Sequence, residues 1–278
     1  MPGTDLPDEA PGSGDRLSRF NTGVPHPARV YDVWLGGKDN FAADRAAAAA
    51  GQKAFPLVVT SVKANRAFLA RVVRYLVAQA GIRQFLDIGT GLPSADNTHE
   101  VARSIAPATR VVYVDNDPIV LRHAEALLTS TAPGQAAYID ADLRDPGKIL
   151  AEASRTLDFS EPVAIMLLAV LHFIPHQADP YQIVDTLTAA VPSGSYLAVS
   201  HSATDIFPQE METFVRTMNE GLSERDKAVH RSRDEITRFF RGLDLIEPGV
   251  VQVSKWHPDS AAEAAAPTFL WSGVARKP

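Results

Sequence analysis

The chain contains no cysteine, which excludes disulfides, thiolate metal sites and cysteine nucleophiles. It has no apolar run of the ~18 residues that a bilayer-spanning helix requires. An excess of basic charge is also missing: 27 Lys and Arg stand against 33 Asp and Glu, a net charge of −6. That balance argues against a general nucleic-acid or membrane-surface binder. The opening MPGTDLPDEAPGSGD lacks the basic start and apolar core of a secretory signal. A soluble protein in the cytoplasm, with neither nucleic acid nor membrane as partner, is the expectation.

What is present is ordinary for a globular domain: 278 residues, 45% apolar and 22% charged. Residues 1–15 are rich in Pro, Gly and acids and read as a disordered tail. Residues 16–80 read as a helical extension. Its main feature is a periodic apolar stretch from Pro56 to Gly81, the glycine standing where a helix C-cap belongs. From 81 to 278 short apolar runs alternate with helical patterns. Strands are predicted at 84–88, 111–115, 137–140, 163–169, 195–200, 250–254 and 268–275. Helices are predicted near 97–105, 118–129, 146–155, 180–190, 210–221 and 233–241, with a helical insertion near 205–232. This alternation predicts an α/β, doubly wound, seven-stranded and mostly parallel sheet with helices on both faces. The run VAIMLLAVL suits a central strand buried on both sides. The last strand follows its predecessor too closely for a crossover helix, so it should return antiparallel.

Ligands in such sheets bind beyond the carboxyl ends of the strands. The polar residues there are Asp87 with the Gly89/Gly91 loop, Asp115, Asp142, His172 and His201. In FLDIGTGLP the third glycine of a dinucleotide loop is replaced by Pro93. Asp87 would repel a phosphate, and Pro93 removes an N–H that an anion would use. A ligand with a free ammonium and an adenosine fits better, and S-adenosylmethionine has both. Asp115, ending VVYVD, can accept both hydroxyls of a ribose; its alternative is to begin a turn. Asp142 can accept from an adenine amine while the next backbone N–H, that of Leu143, donates to a ring nitrogen; its alternative is a solvated acidic loop.

With these residues the sequence resembles the S-adenosylmethionine-dependent methyltransferases of the seven-stranded class. More closely, it is similar to an actinobacterial methyltransferase-like family long catalogued as a domain of unknown function. The resemblance runs from about residue 22 to residue 275 through PHPARVYDVWLGGKDNF, FLDIGTGLP, NTHEVA, VVYVDNDP, DLRDP, AVLHFIP and PSGSYLAVSH. It implies S-adenosylmethionine as cofactor, held by Asp87, Gly89, Gly91, Asp115, Asn116, Asp142, Leu143 and Ala169, and leaves the methyl acceptor undefined. The rivals are an NAD-dependent oxidoreductase, which would give Asp142 no role, and a cofactor-binding regulator without transfer activity.

A minimal methyltransferase lacks the segment VPHPARVYDVWLGGKDNF, in which Pro27 and Gly36–Gly37 bound a short helix. As a buttress it would pack Trp34 on the sheet and pair Arg29 with Asp32. As a lid it would aim Arg29 at the cofactor carboxylate, with Tyr31, Asp32 or Lys38 facing a small-molecule acceptor. His172, after the central strand, is the leading candidate for a general base, with Tyr31 second. No metal site is expected: His172 and His176 have helical spacing, but Pro175 lies between them.

Overall fold

The strand β4 (Ala164–Leu168) reads AIMLL, apolar on both faces, and all five residues are buried. It pairs in parallel with β1 (Gln84–Ile88) on one side and β5 (Tyr196–Ser202) on the other. Beyond β1 come β2 (Arg110–Asp115) and β3 (Ala136–Asp140), also parallel. Beyond β5 lies β8 (Leu270–Arg276), antiparallel as its short connection requires. The two-residue strands β6 (Asp244–Leu245) and β7 (Val251–Gln252) both pair antiparallel to β8. The order is β3-β2-β1-β4-β5-β8-β6, with β7 also on β8. The computed structural model describes residues 21–94, 96–120, 122, 136–220, 222 and 227–278.

Alternation along the strands separates the two layers of core. Phe85, Val111, Tyr113, Met166 and Ala198 pack with the helix α3 (Val58–Ala78). Leu86, Val112, Ile165, Leu167 and Val199 face the opposite way, onto α5 (Pro146–Ala153) and α6 (Pro180–Ala189). In α3, Val62, Phe68, Val72, Val73 and Leu76 are buried almost completely. At roughly 1.5–3 kcal/mol for each large side chain taken from water, that stripe anchors the extension to the sheet. Gly81 takes φ +73° just past the helix, a conformation costly for any other residue.

The expected elements need three corrections. The sixth strand, predicted at 250–254, is shortened to β7, and an unpredicted β6 precedes it, so among the described residues the sheet has eight strands rather than seven. Pro248 lies between the two, and proline cannot donate to a ladder. The helix predicted at 233–241 closes at Thr237 as α8 (Arg233–Thr237) and continues as a 3₁₀ turn to Phe240. The alanine-rich 257–267 segment holds a four-residue helix, Ala261–Ala264. The tail at 1–15, most of the helix predicted at 118–129, and 221 and 223–226 of the helical insertion lie outside the described residues. Within that insertion, α7 spans Pro208–Asn219.

Candidate functional site

β1 leads to β2 and β3 on one side, and β4 leads to β5 on the other. The carboxyl ends of β1 and β4 therefore form the switch point of the sheet, where a crevice must open. A cavity of about 550 Å³ lies there, within the range of cofactor sites. Its floor is the Gly89/Gly91 loop after β1 and the Ala169–His172 turn after β4. Its roof is α1 (Pro27–Leu35), and α7 contributes Phe214 and Met218 to the far wall.

Gly89 and Gly91 both have positive φ, +73° and +65°, but for different surroundings. A Cβ on Gly89 would come within 2.4 Å of Val170, whereas one on Gly91 would meet nothing. Gly89 is therefore held small by the protein's own β4 turn, and not only by a ligand. Ala169, in that turn, is left-handed as well (φ +55°), and its N–H donates to the carbonyl and the hydroxyl of Ser200. Non-glycine residues in this region carry a strain of about 1–3 kcal/mol that the surroundings must hold, and such strain gathers at functional sites.

Asp87, Asp115 and Asp142 line one end of the cavity. Asp87 is buried and accepts one hydrogen bond, 2.6 Å from the Thr98 hydroxyl, which comes from α4 (Thr98–Ile105). Burial pushes its carboxyl up to about 6, and the neighbouring Asp115 adds to this; Thr98 and Arg66 offset only part. Asp115 is buried with one oxygen on the Gly91 N–H (2.8 Å) and the other on the Asp117 N–H (2.9 Å). Burial raises its pKa, and those two donors hold the rise back. Each oxygen keeps a lone pair for a further donor. Asp142 is half-buried and bound at both oxygens by Arg144, through its backbone N–H and Nη1, each at 2.9 Å. Asn116 and Leu143 also line the cavity.

The roof departs from both expectations for it. Arg29 does not line the cavity, and its partner is not Asp32. Its Nε sits 3.5 Å from both Asp44 and Asp117, and its Nη2 donates to the Val24 carbonyl. His26 Nδ1 lies 3.0 Å from the same Asp117. Burial alone would raise the Asp117 pKa, but His26 and Arg29 together draw it below the usual range. These contacts lash the start of α1 to the turn after β2. Asp32 instead closes the following loop, accepting from the Asp39 N–H and from Asn40, and a Cβ on Gly37 would collide with it. Trp34 packs on helices rather than the sheet: its Nε1 donates to Ala48 of α2 (Ala42–Ala54) and its ring lies 6.2 Å from Phe214. Tyr31 does line the cavity, but its hydroxyl donates to the Val62 carbonyl and accepts from Asn65. Asn65 in turn accepts from Ser200 at 2.6 Å, and burial raises the tyrosine's pKa. That hydrogen-bonded chain from α1 through α3 to β5 has no sequence signature, since Asn65 and Ser200 are 135 residues apart.

His172 lines the cavity and is buried, which together with nearby His230 and Arg231 drives its pKa well below the usual value. It is neutral at neutral pH. His201 does not line the cavity; it lies behind His172, ring centroids 5.5 Å apart. Two residues that sequence reasoning missed complete this wall. His230 stacks on His172 at 6.0 Å, and Arg231 is wholly buried behind them. Arg66, also unforeseen, lines the cofactor end where Arg29 was expected.

A model of the family described as S-adenosyl methyltransferase matches residues 13–278. The chain is similar to a DUF574-family protein from Streptomyces avermitilis (45% identity, TM-score 0.87, covering 92% of this chain and 99% of that one). It is similar also to a candidate methyltransferase from Thermobifida fusca (41% identity, TM-score 0.86, covering 94% and 97%). A SAM-dependent methyltransferase from Anabaena variabilis shares the fold at 14% identity and TM-score 0.51, over 77% of this chain and 84% of that one. No curated protein matches.

Proposed function

The chain belongs to the S-adenosyl methyltransferase family, and from that premise we propose that the strand-end acids hold S-adenosylmethionine under α1 while a small molecule is methylated in the rest of the cavity. The observation that carries this reading is Asp87. Among the described residues this buried carboxylate, raised to about 6 beside a cavity, has a single hydrogen-bond partner, and Arg66 offsets only part of the cost of its burial, so a cation would complete it. The ammonium of S-adenosylmethionine supplies one, whereas a pyrophosphate would be repelled.

The remaining groups fit the same ligand. Arg66 is the cation on this wall suited to the cofactor's carboxylate. Asp115, already locked to the Gly91 and Asp117 amides, has lone pairs left for the ribose hydroxyls. Asp142 and Leu143 lie where the adenine edge would meet an acceptor and a donor. Asn116 flanks them. Ala169, its N–H committed to Ser200, keeps its carbonyl for the ligand.

Bound S-adenosylmethionine supplies an activated methyl on a sulfonium. The protein's part is alignment and the exclusion of water, and alignment alone can account for on the order of 7–11 kcal/mol of a barrier. Val30, Tyr31 and Trp34 of α1 line the cavity, a setting that suits a small-molecule acceptor better than a nucleic acid. No described helix is long and apolar enough to cross a membrane, and a cytoplasmic location is part of this reading. Calorimetric titration with S-adenosylhomocysteine and with NADH tests it. Tight binding of the first alone, weakened in Asp87→Asn, supports it; binding of NADH, or an unchanged Asp87→Asn, overturns it.

A further inference from the structure

The wall facing away from the cofactor acids has an unusual charge pattern. Arg231 is 0% exposed; its two terminal nitrogens donate to neutral acceptors, and its buried Nε has no partner among the described residues. The acceptors are the carbonyls of Leu171 (3.1 Å) and Ile174 (2.8 Å) and the Nε2 of His201 (2.8 Å). Among the described residues no carboxylate is within ion-pair distance of it; Glu235 acts on it only from further off. The cost of burying a charge is usually met by a counter-ion, and among the described residues none sits at ion-pair distance.

In front of Arg231 stand two imidazoles. His201 has an assignable tautomer: its Nδ1 donates to the Ser202 carbonyl, so its Nε2 is bare and accepts from Arg231. His172 and His230 differ. Each has its Nδ1 buried with no partner. A buried N–H without an acceptor is rare, whereas a bare ring nitrogen is tolerated more easily. The proton therefore sits on Nε2 of both rings, and both rings line the cavity. Burial and Arg231 hold His230 at about 4, so it stays neutral. The wall thus offers two N–H donors backed by one buried cation. Glu220, at the end of α7, lines the cavity but is exposed.

The other side of this compartment is aromatic. Phe214 lies edge-on to His230 at 6.3 Å, and Trp34 and Phe269 pack on Phe214 at 6.2 and 5.7 Å. Resting on the reading of the cavity as a methyltransferase site, we infer that the acceptor is a small aromatic molecule bearing an anionic oxygen, a carboxylate or an acidic phenol, received by His172 and His230. The β4 turn places this wall beside the cofactor loop, since Val170 abuts Gly89 and His172 is two residues on. The transfer balances without a base. The oxygen's lone pair forms the O–CH₃ bond, the C–S bond breaks with its electron pair left on sulfur, and the two opposite charges cancel. No proton has to leave. His172 is then a hydrogen-bond donor that orients the nucleophile, not the general base its position in the sequence predicts. A protonated amine would be repelled by Arg231 and would find no acceptor on these rings.

The test uses the full chain saturated with S-adenosylhomocysteine, titrated with benzoate, 4-nitrophenolate and benzylamine. Binding of S-adenosylhomocysteine is measured first; its failure would sink the methyltransferase reading itself. With it bound, preference for either anion over benzylamine is expected, and the better of the two anions distinguishes carboxylate from phenol. His230→Phe should weaken that anion roughly tenfold, the size of one lost hydrogen bond to a charged group. Nitrogen NMR of the wild-type imidazoles should show Nε2–H tautomers at His172 and His230, so the inference stays open to refutation even if the variant does not fold. Benzylamine binding as well as the anions, no detectable anion binding, or Nδ1–H tautomers would each overturn it.

Discussion

The two ends of the cavity are built from opposite chemistry. At the cofactor end, Asp87, Asp115 and Asp142 stand at the ends of successive strands or just past them, and two are buried enough for their pKa values to rise. At the far end, burial keeps His172 and His230 neutral in front of Arg231. Burial acts on both sets in the same sense, disfavouring charge. The difference lies in what each end lacks: the first wants a cation, the second an anion. A sulfonium donor with an ammonium, facing an oxygen nucleophile, would satisfy both at once.

The sharpest way to break this comparison is at the joint between the two ends. Gly89→Val should destabilise the protein by about 2–6 kcal/mol, adding positive-φ strain to a clash with Val170. Gly91→Ala, with the same backbone strain but open space, should cost only about 1 kcal/mol. Equal losses in thermal unfolding would show that contact with Val170 is not what keeps residue 89 small.

Asp87→Asn separates function from stability. The amide should weaken S-adenosylhomocysteine by roughly 1.5–3 kcal/mol. It should also stabilise the ligand-free protein by about 1–3 kcal/mol, because the native carboxylate is destabilised by its burial. A variant that loses both affinity and stability would mean that Asp87 is a structural partner of Thr98.

Asn65→Ala should cost about 1–3 kcal/mol by leaving Tyr31 and Ser200 without their shared partner. Hydrogen exchange from Ala28 to Leu35 should then quicken. If it does not, α1 is held by the Arg29, Asp44 and Asp117 contacts alone. The same amides, followed in the wild type with and without S-adenosylhomocysteine, show whether α1 is a moving lid or a fixed roof.

The smallest expected effect is with pH. Because Asp87 titrates near 6 in the folded protein, above its unfolded value of 3.8, ionisation works against folding. Its contribution to stability is present below about pH 4 and is lost as pH rises through 6. An ammonium ligand favours the ionised form, so affinity should fall below about pH 6, with proton release on binding there. Calorimetry in buffers of different ionisation enthalpy reads that release; proton uptake would contradict the Asp87 assignment.

The acids at the crevice were legible in the sequence because their placement is local. A strand in a parallel sheet ends where its apolar run ends, so Asp87, Asp115 and Asp142 were placed at the crevice by position alone. The direction of Arg29 was not legible. Its helix was foreseen, but which face meets the cavity depends on Asp44 and Asp117, brought in from α2 and from the turn after β2. His172 was visible as the residue after the central strand, but its charge state was not: burial, with His230 and Arg231 beside it, holds its pKa well below the usual value.

By itself, then, the amino-acid order determined the alternation of strands and helices, the glycine loop and the acids facing it, and the antiparallel return of β8. Backbone periodicity and strand ends are short-range properties. Only the tertiary structure decided the compartment opposite, where His230 and Arg231 approach from the loop before α8 and Phe214 from α7. It also joined Tyr31, Asn65 and Ser200 into one hydrogen-bonded chain. Those groups meet because helices distant in sequence pack over one crevice, and burial there, not residue type, sets which of them are charged and which nitrogen carries the proton.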